Sequence, residues 1–116
     1  MRPDNVGNGV LLGDWIARQA ARSTARLEAA ISASGLCRQR EAFAQTVRPS
    51  RGSVLASPVF ADWDPEPDYF FHWVRDAAIV MRCLAGLMRD ATDAAERRRW
   101  RRHFEDCVTF SLSLSR

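Results

Sequence analysis

The chain has 116 residues, 47% of them apolar and 27% charged, which supports one small folded domain and excludes disorder for most of its length. Its formal net charge is +3 and all 17 basic residues are arginine, a balance that reflects coding bias better than phosphate binding, so no nucleic-acid partner is expected. No apolar run approaches the roughly 20 residues that cross a bilayer, and residues 1–5 open no signal-peptide core, so a soluble cytoplasmic protein with no membrane partner is expected.

Residues 1–13 read as a loose lead-in, because Gly7, Gly9 and Gly13 interrupt any regular pattern. Asp14 is placed to cap a first helix over residues 15–33. Ile16, Ala20, Leu27, Ala30 and Ile31 follow its 3.6-residue period. Ser34-Gly35 offers a stop, with Gly35 free to adopt a left-handed conformation. Residues 42–47 fit either a short strand or an irregular segment. Arg48-Pro49-Ser50-Arg51-Gly52 reads as a turn, and residues 53–56 as a short extended piece ended by Ser57-Pro58. Residues 61–68 form an acidic loop whose two prolines exclude a helix.

A second helix is expected over residues 77–88. Ile79, Val80, Met81, Cys83, Leu84, Leu87 and Met88 cover most of its circumference, as suits a helix inside a larger core. Such a helix would leave the isolated chain with a large exposed apolar surface. A third helix begins near Asp93, where Asp93 and Glu96 have the spacing of a capping box. Trp100, Phe104, Cys107, Val108 and Leu112 give it one apolar stripe. Arg97, Arg98, Arg101 and Arg102 fall mostly off that stripe and read as a solvated face. Residues 111–116 carry no stop signal, so the chain is expected to be part of a longer protein. The organisation is therefore a lead-in over residues 1–13 and one incomplete helical domain over residues 14–116.

Three cysteines, Cys37, Cys83 and Cys107, match no zinc spacing. Cys83 and Cys107 lie among apolar residues at helical spacing and read as buried free thiols, which suits a reducing compartment. No metal and no cofactor is implied.

The chemistry concentrates between Arg51 and Asp76. Tyr69, Phe71 and Trp73 occupy alternate positions ahead of Arg75-Asp76. In an extended segment, alternation puts the three rings and Arg75 on one side, and a helix start would bend Asp76 towards them. Flat rings beside an arginine–carboxylate pair suit a sugar, whose apolar faces stack and whose hydroxyls take directional hydrogen bonds. Plainer readings fit the same residues: Asp76 as a helix cap, Arg75 as a structural ion-pair partner, the aromatics as core.

Gly52-Ser53-Val54-Leu55-Ala56-Ser57-Pro58, followed by Pro67-Asp68-Tyr69-Phe70-Phe71-His72-Trp73-Val74-Arg75-Asp76-Ala77-Ala78, resembles glycoside hydrolase family 15, the glucoamylases, glucodextranases and some trehalases. Trp15-Ile16-Ala17-Arg18-Gln19 is similar to the family's N-terminal helix. The resemblance implies an all-α fold, the (α/α)6 barrel of six-hairpin glycosidases, of which this chain would supply about three helices with a short extended segment before the second. It implies an inverting, exo-acting α-glucan hydrolase that releases β-glucose from non-reducing ends, with an α-glucan oligosaccharide or related glucoside as partner. Arg75 and Asp76 match the pair that hydrogen-bonds the innermost glucose. Trp73 matches a tryptophan that orients the substrate and the catalytic acid, and Tyr69 a tyrosine beside the reacting sugar. Phe71, His72 and Val74 depart from the family pattern, which commonly has Tyr and small polar residues there. His72 reads as a wall or core residue.

Inversion needs a general acid and a general base roughly 6.5–9.5 Å apart. In the family both lie downstream of the Arg-Asp segment, so no catalytic residue is expected within this chain and the chain alone is expected to be inactive. Glu96, Glu105 and Asp106 read as solvated surface. A trehalase-type member of the same family, or a non-catalytic helical interaction module, are the alternatives.

Overall fold

The computed structural model describes residues 6–59 and 68–115. Residues 1–5 of the expected lead-in and 61–67 of the acidic loop lie outside the described residues. In chain order the elements are helix α1 (Val6–Ala29), strand β1 (Arg38–Arg40), one 3-10 turn (Glu41–Phe43), strand β2 (Gln45–Val47), helix α2 (Val74–Asp90) and helix α3 (Ala94–Ser113). The described chain is thus mostly helical, with three helices and one small hairpin. No helix among the described residues is long and apolar enough to cross a membrane.

Helix α1 starts well before Asp14, so residues 6–13 are helical and not a loose lead-in. An interior glycine costs a helix about 1 kcal/mol relative to alanine, which disfavours it without forbidding it. Its end differs too. Ala30 and Ile31 leave the helix to meet the extended segment: Leu55 N–H donates to the Ala30 carbonyl at 3.0 Å and Ser32 N–H to that of Ser53 at 2.9 Å. The left-handed residue after the helix is Ser32 (φ 50), not Gly35. The expected apolar stripe is engaged only at this C-terminal end, through Leu27, Ala30 and Ile31, whereas Leu11, Leu12, Trp15 and Ile16 are each more than half exposed.

Residues 42–47 split between the end of the 3-10 turn, the turn residue Ala44 and the second arm of an antiparallel hairpin, Gln45–Val47. Arg38 pairs with Val47 and Arg40 with Gln45, and Ala44 turns the chain in a left-handed conformation (φ 49). Arg38 and Arg40 face inward and Gln39 outward, so the buried face of β1 is built from arginine.

The core lies between α2 and α3, an antiparallel helix pair joined by residues 91–93. Ala77 and Leu84 on α2, and Trp100 and Cys107 on α3, are each seven residues apart and so share one face. Ile31 and Val54 close the same cluster. The cap expected at Asp93 forms: its carboxylate accepts from Glu96 N–H at 2.7 Å. Arg97 is not simply solvated. It donates to the carbonyls of Ala91 at 2.9 Å and Met88 at 3.3 Å, satisfying groups at the end of α2. Arg98, Arg101 and Arg102 are exposed as expected.

Cys107 is buried, as read from the sequence, but Cys83 is exposed. Only one face of α2 meets α3, and Val74, Ile79 and Cys83 lie off that seam. Leu112 also departs from the expected stripe, standing exposed near the end of α3.

Candidate carbohydrate site

Residues 53–57 form a central extended ply, close to the piece read from the sequence. One edge meets residues 30–32. On the other, Ala56 N–H donates to the Phe71 carbonyl at 3.0 Å and Ser57 N–H to the Tyr69 carbonyl at 2.8 Å. Val54 N–H donates to Nδ1 of His72 at 2.9 Å. The Gly-to-Pro stretch of the sequence thus holds the aromatic stretch in place through its backbone.

The single row of Tyr69, Phe71 and Trp73 is not realised, because residues 69–71 bend instead of running as a strand. The rings of Tyr69 and Trp73 meet with centroids 5.2 Å apart and planes inclined by 32°. Phe71 turns to Arg40, whose guanidinium carbon is 5.8 Å from its ring centroid. It also lines a cleft of about 310 Å³ with Leu55, His72 and Phe110. That cleft contains none of Tyr69, Trp73, Arg75 and Asp76. Two of the three aromatics therefore belong together, and the third serves a different part of the surface.

Helix α2 begins at Val74, three residues ahead of expectation, with Trp73 as its N-cap residue and Asp76 in its first turn. Asp76 is therefore not the cap. A carboxylate in the first turn is favoured by the positive end of the helix. Arg75 Nη2 lies 3.4 Å from Asp76 Oδ2, with side chains 75% and 31% exposed. An open pair of this kind contributes at most about 1 kcal/mol to stability. Tyr69 is 48% exposed, which leaves its ring accessible beside that of Trp73.

Next to these residues lies Asp68, which the sequence placed in the acidic loop and at the start of the family-like motif without giving it a role. It is buried with Arg38 and Arg40: Arg38 Nη1 is 2.6 Å, and Arg40 Nε 3.4 Å, from Asp68 Oδ2. Asp68 Oδ1 accepts from Phe70 N–H at 2.9 Å. The Asp68 carbonyl accepts from the indole Nε1 of Trp73 at 3.0 Å. Nothing in the sequence linked Arg38 to Asp68, thirty residues apart.

His72 is a wall residue, as expected. Its Nδ1 accepts a backbone hydrogen bond and its ring meets that of Phe110 edge-on at 4.8 Å. Partial burial pushes its pKa below the ordinary histidine value. Glu105 lies on the exposed face of α3, as expected. Glu105 pairs with Arg101 across one helical turn, and Glu96 Oε1 lies 3.5 Å from the Trp100 indole nitrogen. Asp106 corrects the surface reading: its side chain is only 18% exposed and meets Arg51 at 3.0 Å.

Tyr69, Trp73, Arg75 and Asp76 thus gather around the start of α2 as the candidate carbohydrate site. The family model of glycosyl hydrolases family 15 matches residues 31–113, most of the chain, and the chain belongs to that family. Its substrate class is therefore carbohydrate, and its parent reaction class is glycosidic-bond hydrolysis. No curated protein and no solved structure matches the chain.

Proposed function

We propose that this chain supplies the innermost sugar subsite of an inverting, exo-acting α-glucan hydrolase that releases β-glucose from non-reducing ends. The observation that carries this reading is the sequence of side chains around the start of α2. Tyr69 and Trp73 form an accessible ring pair, and Arg75 and Asp76 follow in the first helical turn. The rings cover the apolar face of a glucose unit, while the guanidinium and carboxylate bond its hydroxyls. Hydrogen bonds to charged groups contribute about 1.5–3 kcal/mol each, enough to select a chain end.

Inversion also requires a general acid and a water-activating base roughly 6.5–9.5 Å apart. Glu96, Glu105 and Asp106 are engaged on α3 as described, and the two catalytic carboxylates are assigned outside this chain. The three free cysteines suit a reducing compartment, and a cytoplasmic setting is part of the same proposal.

The test is to incubate the intact gene product with maltoheptaose, dextran and trehalose and follow the anomeric protons of released glucose by NMR. β-Glucose appearing first from maltoheptaose supports the proposal. Release from trehalose alone moves the protein to the trehalase type, and absence of glucose from all three overturns the reading.

A further inference from the structure

The inward face of β1 raises a physical question. Burying two arginines on a three-residue strand is costly, and a buried ion pair is weak evidence for stability because desolvation offsets most of the attraction. What such a cluster does provide is fixed geometry, since the planar guanidinium fork restrains the carboxylate it meets. Here the side chains of Arg38 and Asp68 are 8% and 4% exposed, so solvent screens the pair little.

Asp68 stands at the junction of two sets of contacts. One carboxylate oxygen is held by the arginines of the hairpin, and the other accepts from Phe70 N–H. Its main-chain carbonyl receives the Trp73 indole. Trp73 in turn carries the ring of Tyr69 and occupies the N-cap position of α2, two residues ahead of Arg75. Asp68 therefore connects the hairpin to the ring pair of Tyr69 and Trp73. Arg40 adds a second connection, with its guanidinium 4.2 Å over the ring of Phe43 on the hairpin and 5.8 Å from that of Phe71.

We infer that Arg38, Arg40 and Asp68 are positioning residues for the sugar subsite, setting the plane of the Trp73 indole; the inference rests on the subsite reading above. The three residues touch no sugar. They act by fixing where the Asp68 carbonyl sits, and hence the indole that hydrogen-bonds to it. A loosened Trp73 leaves a sugar able to bind but badly oriented, and misplacement of about 1 Å can cost about a hundredfold in rate.

The experiment uses the intact gene product labelled with 5-fluorotryptophan, its Trp73 fluorine resonance assigned through Trp73→Phe. Asp68→Asn retains an acceptor for Phe70 N–H but removes the charge. Arg38→Lys retains the charge but removes the fork, and serves if Asp68→Asn fails to fold. Each variant is expected to shift or broaden the Trp73 resonance while leaving that of Trp100 in place. On maltoheptaose each is expected to lower kcat about tenfold to a hundredfold with a much smaller change in KM. A folded variant with an unmoved Trp73 resonance, or with unchanged kcat, overturns the inference. If the unsubstituted protein releases no glucose from any glucoside while the variants still shift Trp73, the subsite reading fails and the anchoring of Trp73 by the hairpin stands.

Discussion

Gly52 lies directly against the main chain of Asp106. A Cβ built on Gly52 would stand 2.1 Å from the Asp106 carbonyl oxygen and 2.8 Å from Cβ of Phe110, and its φ of +82 disfavours any side chain. This contact seats the turn before the extended ply on α3. Ser32 Oγ accepts from Gly52 N–H at 2.7 Å, which ties the end of α1 to the same turn. Gly52→Ala is therefore expected to lose stability on two counts, about 1–2 kcal/mol for the left-handed backbone and about 1–3 kcal/mol for overpacking. Chemical denaturation should show a lower midpoint than Gly35→Ala, where no atom lies within 4 Å of the added carbon.

His72 makes the fold acid-sensitive. Its Nδ1 must stay unprotonated to accept from Val54 N–H, and burial lowers its folded pKa below the ordinary value of about 6.5. Between those two values the unfolded chain binds a proton that the folded chain rejects. The stability this contributes is complete above about pH 6.5 and is lost as pH falls through the folded value. Melting curves at about pH 7.5 and pH 5 should show a larger fall for the native protein than for His72→Asn, whose amide oxygen can accept without titrating. Parallel falls would remove His72 from the account.

The cap of α3 gives a local test. Asp93→Ala removes the acceptor for Glu96 N–H and should cost about 1 kcal/mol. Asp93→Asn, which keeps an acceptor oxygen, should restore most of it. Equal destabilisation by both would show that charge, not capping, governs this position.

Thiol reactivity separates two cysteines. Burial, and then the neighbouring Asp106, push the Cys107 thiol pKa upward, so little thiolate forms. Cys37 is exposed. Mass spectrometry after alkylation of the native protein should find Cys37 modified and Cys107 unmodified until denaturant is added.

The parts that were legible in the sequence are those governed by local chemistry. The Asp93 cap, the α3 stripe through Trp100 and Cys107, and the extended ply at residues 53–56 each announce themselves within a few residues. The end of α1 was not legible, because long-range bonds from Ser32 and Leu55 to partners across the fold override its helical pattern. The hairpin escaped because its strands are three residues long and bury arginine where an apolar residue is the rule. The two interior arginines make sense only once Asp68 is seen between them. Of the candidates that the family motif marked, Tyr69, Trp73, Arg75 and Asp76 lie together around the start of α2. Local periodicity misjudged Phe71, since alternation holds only while the chain stays extended.

The most direct test of the account is the activity of Asp76→Ala in the intact gene product, measured on maltoheptaose beside Glu105→Ala. Loss of a charged hydrogen bond to the innermost glucose, about 1.5–3 kcal/mol, corresponds to a fall in kcat/KM of about tenfold to a hundredfold. Glu105 pairs with Arg101 on an exposed helix face, so its variant should retain native activity. A large loss confined to Asp76→Ala is the predicted result. Equal effects of the two substitutions, or native activity in both, would contradict the assignment of the sugar subsite.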